Sequence, residues 1–319
     1  MITHNLGYPR IGPKRELKKA AEKYWKGKIQ QDELLETGKW IRQYNWQTQQ
    51  EVGIDLIPVN DFSYYDHVLD TAFTVGAIPD RYKAIQQDKE ITDLDLYFAM
   101  ARGYQDEKHD VIAMEMTKWF DTNYHYIVPE LEHNQQFHLN SEKIVTEFKE
   151  AKTQGFNAKP FLLGPVSFLL LSKGKDEDVN RLALLDNLLP VYKEIMAKLK
   201  EAGAEWIQLD EPYLALNLDK DSRNAFQKAY EVLGHSDDQL KLLIATYFQE
   251  LHDNTELAAS LPVDALHIDL VKGPENLDKV LPQIPENMWL SLGVVNGRNV
   301  WKNNFDESLQ FIQKAVYEL

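Results

Sequence analysis

The sequence predicts an α/β fold, a closed (β/α)8 TIM-type barrel with additional rim helices, on three observations. Eight apolar runs bounded by turn residues recur along the 319 residues. Each is followed by a stretch of helical character, and several of these stretches close on a glycine, as helix C-termini often do. No Pro- or Ser-rich linker, low-complexity segment or short-period repeat divides the chain. Parallel strands require crossovers, and the crossover helices of a barrel cover its outer face.

The strand-like runs begin near Ile2, Ile54, Val111, Pro160, Glu205, Lys241, Ala265 and Met288. Amphipathic stretches at 13–27, 32–53, 141–155, 179–203 and 219–233 supply the helices, and 305–319 ends the chain. The interval 64–105 is longer than one crossover needs and is read as extra helices at the barrel rim. One barrel accommodates the whole length, so residues 1–319 are read as a single domain. An open doubly wound sheet is the competing arrangement, and the Gly-x-Gly-x-x-Gly turn of a dinucleotide binder is missing.

A hydrophobic content of 44% is sufficient for a large packed core. No run approaches the roughly 20 continuous apolar residues of a membrane span, and residues 1–12 lack a signal-type apolar core, so no membrane partner and a cytoplasmic location are expected. Cysteine is absent, which removes disulfides, thiolate nucleophiles and cysteine-held metals from this chain. The net charge of −15 repels nucleic-acid phosphates, so no nucleic-acid partner is expected. Any anion bound here needs a local basic site.

In a barrel of this kind the loops at the C-terminal strand ends carry the site. These are the segments 6–12, 60–66, 117–126, 164–167, 210–213, 246–249, 269–272 and 296–299, which mix aromatic rings with amides and charges. Such a mouth suits a flat polar ligand, although aromatic and Asp residues also cap barrel rims for structural reasons. Asp210 and Glu211 stand at a strand end, where paired carboxylates serve in glycoside hydrolysis. Adjacent strand residues point to opposite faces, which argues against their converging. The histidines form no His-x-x-x-His pair, and no Walker loop or Gly-x-Ser-x-Gly elbow is present. The clearest electrostatic feature is the helix opening after the first strand. Arg10, Lys14, Arg15, Lys18 and Lys19 crowd there against Glu16, and Arg15, Lys18 and Lys19 share a helix face. The alternative reading of that cluster is a solvated face.

The opening His4-Asn5-Leu6-Gly7-Tyr8-Pro9-Arg10-Ile11-Gly12, with Arg15-Glu16-Leu17-Lys18-Lys19-Ala20 after it, resembles the start of cobalamin-independent methionine synthase. So do the block from Glu115 to Tyr126 and the block Gln208-Leu209-Asp210-Glu211-Pro212. The resemblance runs in order over essentially the whole chain. It implies two related barrels that together transfer a methyl group from 5-methyltetrahydropteroyltri-L-glutamate to L-homocysteine, forming L-methionine without cobalamin.

The resemblance further implies a zinc ion held by histidine, glutamate and two cysteines of a C-terminal barrel absent from this chain, which also takes most of the contact with homocysteine. It assigns the N-terminal barrel the reception of the folate's glutamate tail, which falls here on Arg15, Glu16, Leu17, Lys18 and Lys118. No catalytic residue or metal ligand is expected within residues 1–319, and the isolated chain is expected to be inactive. Two other readings stand beside this one: a non-catalytic module that docks and braces the catalytic barrel, and an independent barrel hydrolase using Asp210 or Glu211.

Overall fold

The computed structural model describes residues 1–234 and 240–319. Its strands are β1 (Ile57–Val59), β2 (Tyr104–Gln105), β3 (Asp110–Val111), β4 (Met116–Lys118), β5 (His125–Ile127), β6 (Glu130–Leu131), β7 (Ala158–Leu163), β8 (Lys173–Gly174), β9 (Trp206–Asp210), β10 (Lys241–Ala245), β11 (Ala265–Asp269) and β12 (Trp289–Gly293). Its α-helices are α1 (Glu16–Tyr24), α2 (Gln31–Glu51), α3 (His67–Thr74), α4 (Lys83–Gln87), α5 (Asp93–Arg102), α6 (Lys143–Thr153), α7 (Pro165–Leu171), α8 (Leu185–Glu201), α9 (Lys220–Leu233), α10 (Thr255–Ser260), α11 (Asn276–Val280) and α12 (Phe305–Glu318).

The main sheet is a curled parallel sheet of six strands in the order β1-β7-β9-β10-β11-β12, with helices between successive strands. All residues of β7 and β9 are buried, as expected where helices cover one face and the barrel interior the other. Helix α8 shows the complementary pattern: Leu188, Leu189, Tyr192, Ile195, Met196 and Leu199 recur every three or four residues and are buried. A second apolar cluster gathers Leu17 of α1, Leu34 and Ile41 of α2 and Phe62 with the rim helices α3 and α5. The long interval after the second predicted strand therefore does add helices, namely α3, α4 and α5.

Two of the eight strand expectations differ from the structure. The run near Val111 does not enter the barrel sheet, because β1 pairs directly with β7. Residues Asp110–Val111 pair instead with Tyr104–Gln105 in an antiparallel hairpin. The Asp106 carboxylate accepts from the backbone N–H of Lys108 at 2.7 Å and of His109 at 2.6 Å, so local turn chemistry captures this short run. The run near Ile2 lies on the outer edge of β1 through one parallel bridge, His4 to Leu56, with Leu56 N donating to Thr3 O at 3.0 Å. Across the barrel from it stands β12, the other end of the sheet. Side chains alone span this seam, His4 Nε2 to Ser291 Oγ at 2.7 Å, beside a cavity of about 910 Å³.

Candidate functional site

The strand-end loops converge on an aromatic mouth. Trp119 and Phe120, just past β4, lie with ring centroids 4.9 Å apart, and Phe120 reaches Tyr213 at 5.8 Å and Phe248 at 5.2 Å. His67, at the start of α3, sits edge-on to Trp119 at 4.5 Å and parallel to Tyr124 at 6.0 Å. Burial pushes the His67 imidazole down to about 4, so it is neutral near pH 7. Arg10 lies over Tyr124 and donates to Ser63 O at 3.1 Å, while Arg298 pairs with Asp121 at 3.0 Å and lies over Phe248. Asn60, Phe120 and Phe248, all in this rim, adopt positive φ of 67°, 50° and 85°. For a bulky aromatic that conformation is strained, and strain of this kind gathers where a loop's shape is functionally constrained.

The mouth is held by a polar network behind it. Lys143 of α6 donates to Asn60 Oδ1 at 2.7 Å and to Phe62 O at 2.6 Å, and it pairs with Asp70 at 3.2 Å and Glu147 at 3.3 Å. Arg42 of α2 joins the same Glu147 at 3.5 Å and Glu150 at 2.7 Å. The loop after β1 is thus tied to α6 by charge-assisted hydrogen bonds from Lys143, and α6 to α2 by the Arg42 pairs, in a largely buried setting.

The residues assigned from the sequence fall into two places. Arg15 is the residue preceding α1, at φ 62° with no side-chain cap, and its side chain is exposed. Glu16 turns its carboxylate back onto Lys14 N at 2.9 Å. Leu17 is 1% exposed and packs in the second apolar cluster, so its side chain faces away from any ligand. Lys18 is exposed and, among the described residues, has only a 3.8 Å pairing with Glu22. Lys118 ends β4, exposed, with no ion-pair partner among the described residues. No hydrogen bond or ion pair joins Lys118 to Arg15 or Lys18 among the described residues.

Asp210 and Glu211 diverge, as adjacent strand residues do. Asp210 points into the barrel and accepts from Gln208 Nε2 at 2.7 Å. Glu211, fully buried, points outward and accepts from Ser167 N at 2.7 Å, Val166 N at 3.3 Å and Tyr230 Oη at 2.8 Å, capping α7. Burial raises both carboxyls to about 7. Both lean toward scaffold: their oxygens are engaged, and they do not face one another.

Sequence reasoning missed the polar centre of the barrel. Lys159, 0% exposed, donates to His4 Nδ1 at 2.8 Å, Asn5 O at 3.1 Å and Gln208 Oε1 at 2.5 Å. Ser291 Oγ lies 2.7 Å from both His4 Nε2 and His267 Nδ1. A signal was present: a lysine inside the otherwise apolar run Ala158–Leu163 had to find buried partners.

The chain matches a family model described as cobalamin-independent synthase, N-terminal domain, over residues 2–318. It is 58% identical over 318 residues to the 5-methyltetrahydropteroyltriglutamate–homocysteine methyltransferase of Flavobacterium johnsoniae, covering 99% of this chain and 41% of that protein. It is 55% identical to the enzyme of the same name from Cytophaga hutchinsonii, covering 100% of this chain and 42% of that one. The chain thus spans about two-fifths of the length of these curated relatives. Among solved structures, a B12-independent methionine synthase from Shewanella sp. W3-18-1 in complex with selenomethionine superposes with a TM-score of 0.64 at 15% identity, over 92% of this chain and 80% of that one. A methyltransferase from Methanosarcina mazei does so at 0.56 and 10% identity, over 99% of this chain and 84% of that one, and both share the fold. With nearly its whole length matched, and more than half of its residues identical to curated members, this chain belongs to the family of cobalamin-independent synthase N-terminal domains.

Proposed function

We propose that this chain is the folate-tail-receiving half of a methyltransferase that moves a methyl group from 5-methyltetrahydropteroyltri-L-glutamate to L-homocysteine. The supporting observation is a set of exposed cations, Arg15, Lys18 and Lys118, in a protein of net charge −15. Lys118 lacks an ion-pair partner among the described residues and the Lys18 pairing is loose, so both are available to an incoming carboxylate. The aromatic mouth, in which Phe120 packs against Trp119, Tyr213 and Phe248, offers contact area for a flat pterin.

The zinc implied by the family resemblance does not fit this chain. It has no cysteine, and no three His, Asp or Glu side chains among the described residues cluster so as to hold a metal. No step here is routed through zinc, and the proposal assigns thiol activation to another part of the enzyme. It follows that residues 1–319 alone produce no methionine.

Calorimetric titration of the purified chain tests the proposal, with triglutamyl and monoglutamyl 5-methyltetrahydrofolate compared at low and high salt. Tighter binding of the triglutamyl form that weakens with salt supports it. Equal affinity for the two forms overturns the tail site and favours the docking-module reading, and turnover by the chain alone overturns the division of labour.

A further inference from the structure

Arg10 stands between the two places that hold the exposed cations. Its loop is pinned just before it, Tyr8 N donating to Asp61 Oδ2 at 2.7 Å and Asn45 Nδ2 to Pro9 O at 3.2 Å. One residue on, Ile11 O accepts from Leu17 N at 3.2 Å, which ties the loop to the start of α1, where Arg15 and Lys18 lie. The Arg10 guanidinium itself lies over the Tyr124 ring, 5.7 Å from its centroid. Tyr124 belongs to the turn joining β4 to β5, and its backbone O accepts at 2.8 Å from the N–H of Trp119, the residue after Lys118.

Two polar groups meet the Tyr124 ring without the partners that burial calls for. Arg10 is half-buried and donates to Ser63 O at 3.1 Å, yet no carboxylate lies within ion-pair distance of it among the described residues. Arg42 and Arg81, by contrast, each meet one. Asp66 attracts Arg10 only from farther away, its oxygens being taken by the N–H groups of Val68, Leu69 and Ile127 at 2.9, 2.9 and 3.0 Å. Asp70 is likewise engaged, with Tyr97 Oη at 2.6 Å and Lys143 at 3.2 Å. His67 is half-buried, its ring parallel to Tyr124 and edge-on to Trp119, and neither ring nitrogen has a hydrogen bond among the described residues. A cation and an imidazole out of bulk water, each with donors to spare, suit an anionic ligand in a protein whose net charge of −15 repels anions elsewhere.

We propose that Arg10 and His67 hold the α-carboxylate of the glutamate nearest the pterin, an inference that rests on the folate reading above. The planar guanidinium offers parallel N–H groups that match the two oxygens of a carboxylate, and a neutral imidazole adds one N–H. Position selects which carboxylate. The pair stands between the aromatic rings of the mouth, with Trp119 against His67, and the cations Lys118 and Arg15, which that reading gives to the tail. A folate with one glutamate carries this carboxylate just as one with three does. Arg10 therefore sets affinity for every glutamylated folate, while Lys18 and Lys118 read the length of the tail.

Titration calorimetry of the complete enzyme, direct or by displacement, tests this with three ligands: 5-methyltetrahydropteroate, which has no glutamate, and monoglutamyl and triglutamyl 5-methyltetrahydrofolate. Arg10→Gln should raise Kd for both glutamylated ligands by the same factor, about tenfold or more, and leave Kd for the pteroate at its wild-type value. His67→Phe, which keeps a ring against Trp119 and removes both nitrogens, should raise the same two constants by about threefold. Arg10→Lys should recover only part of the loss, and thermal unfolding reports that each variant is folded. A rise confined to the triglutamyl ligand overturns the inference and places Arg10 among the tail cations. An equal rise for the pteroate also overturns it, since a carboxylate contact cannot act on a ligand that lacks the carboxylate. If Arg10→Gln behaves as expected while Lys18→Ala and Lys118→Ala leave the preference for longer tails intact, the tail site falls and the carboxylate site stands.

Discussion

Lys159 Nζ donates to Nδ1 of His4 at 2.8 Å, binding strand β7 to the N-terminal segment through the centre of the barrel. The partners fix the direction of the hydrogen bonds. With Nδ1 of His4 accepting, Nε2 carries the proton and donates to Ser291 Oγ, whose own proton is then directed to Nδ1 of His267. The three protons of a lysine ammonium match three acceptors, His4, Asn5 O and Gln208 Oε1, so the group is satisfied although it is out of water.

Burial lowers Lys159 from 10.5 to about 7, and this makes stability depend on pH. Below about pH 7 the lysine is protonated in folded and unfolded chains alike. Between 7 and 10.5 the unfolded chain holds the proton and the folded chain releases it, so stability rises with pH across that window. The wild type should gain on Lys159→Met by of order 1 kcal/mol per pH unit from pH 7 to 9. Urea midpoints measured for both proteins across that range check this, and parallel curves would show that the lysine's charge is not buried.

Glu211 holds the first turn of α7, and Gly164 leaves it the room to do so. A Cβ built on Gly164 would come within 2.2 Å of Glu211 Cδ. Gly164→Ala should therefore destabilise by about 1–3 kcal/mol through overpacking, and Glu211→Ala by a similar amount through the donors it abandons. Thermal unfolding of both variants measures this. If Glu211→Ala keeps wild-type stability while abolishing turnover in the complete enzyme, the scaffold assignment fails.

Arg42 bridges Glu147 and Glu150 with little exposure on any of the three side chains. Removing the cation leaves two carboxylates largely buried and the Lys143 network short of a charge. Arg42→Ala should cost about 3–5 kcal/mol, and a lysine there should recover only part of it, since one ammonium cannot reproduce the fork that spans Nε and Nη2. Denaturant unfolding decides this, and a loss under about 1 kcal/mol would place the trio among ordinary surface pairs.

The fold class was legible because five of the eight runs form strands that are buried almost throughout, β1, β7, β9, β10 and β11, and such strands read as unbroken apolar segments. The segment at Val111 was not, since its partner was decided by Asp106 in the turn rather than by its own apolar pattern. Of the residues proposed to receive the tail, Arg15 and Lys18 were singled out by charge spacing at the start of α1. Lys118 was reached only through resemblance, because a lone lysine in a hairpin strand carries no pattern. The Lys159 centre draws on residues 4, 159, 208, 267 and 291, and only the curling of the sheet brings them together.

Lys18 and Lys118 lie on separate elements, α1 and β4, and what the proposal requires of them is that both reach one polyanionic tail. A tail carboxylate far from the transferred methyl is bound equally in the ground and transition states, so its contacts act on KM and leave kcat nearly unchanged. Both lysines are exposed, which limits each to about 0–1 kcal/mol, or up to roughly fivefold in KM, with strong screening by salt. In the complete enzyme Lys18→Ala and Lys118→Ala should each raise KM for the triglutamyl substrate by about twofold to fivefold at low salt. Neither should change KM for the monoglutamyl substrate. The double variant should lose most of the preference for longer tails, and its KM should become nearly insensitive to salt. Steady-state kinetics with one-, two- and three-glutamate substrates at two ionic strengths reads all of these at once. A double variant that still prefers the longer tail as strongly as the wild type would return these cations to an ordinary solvated face.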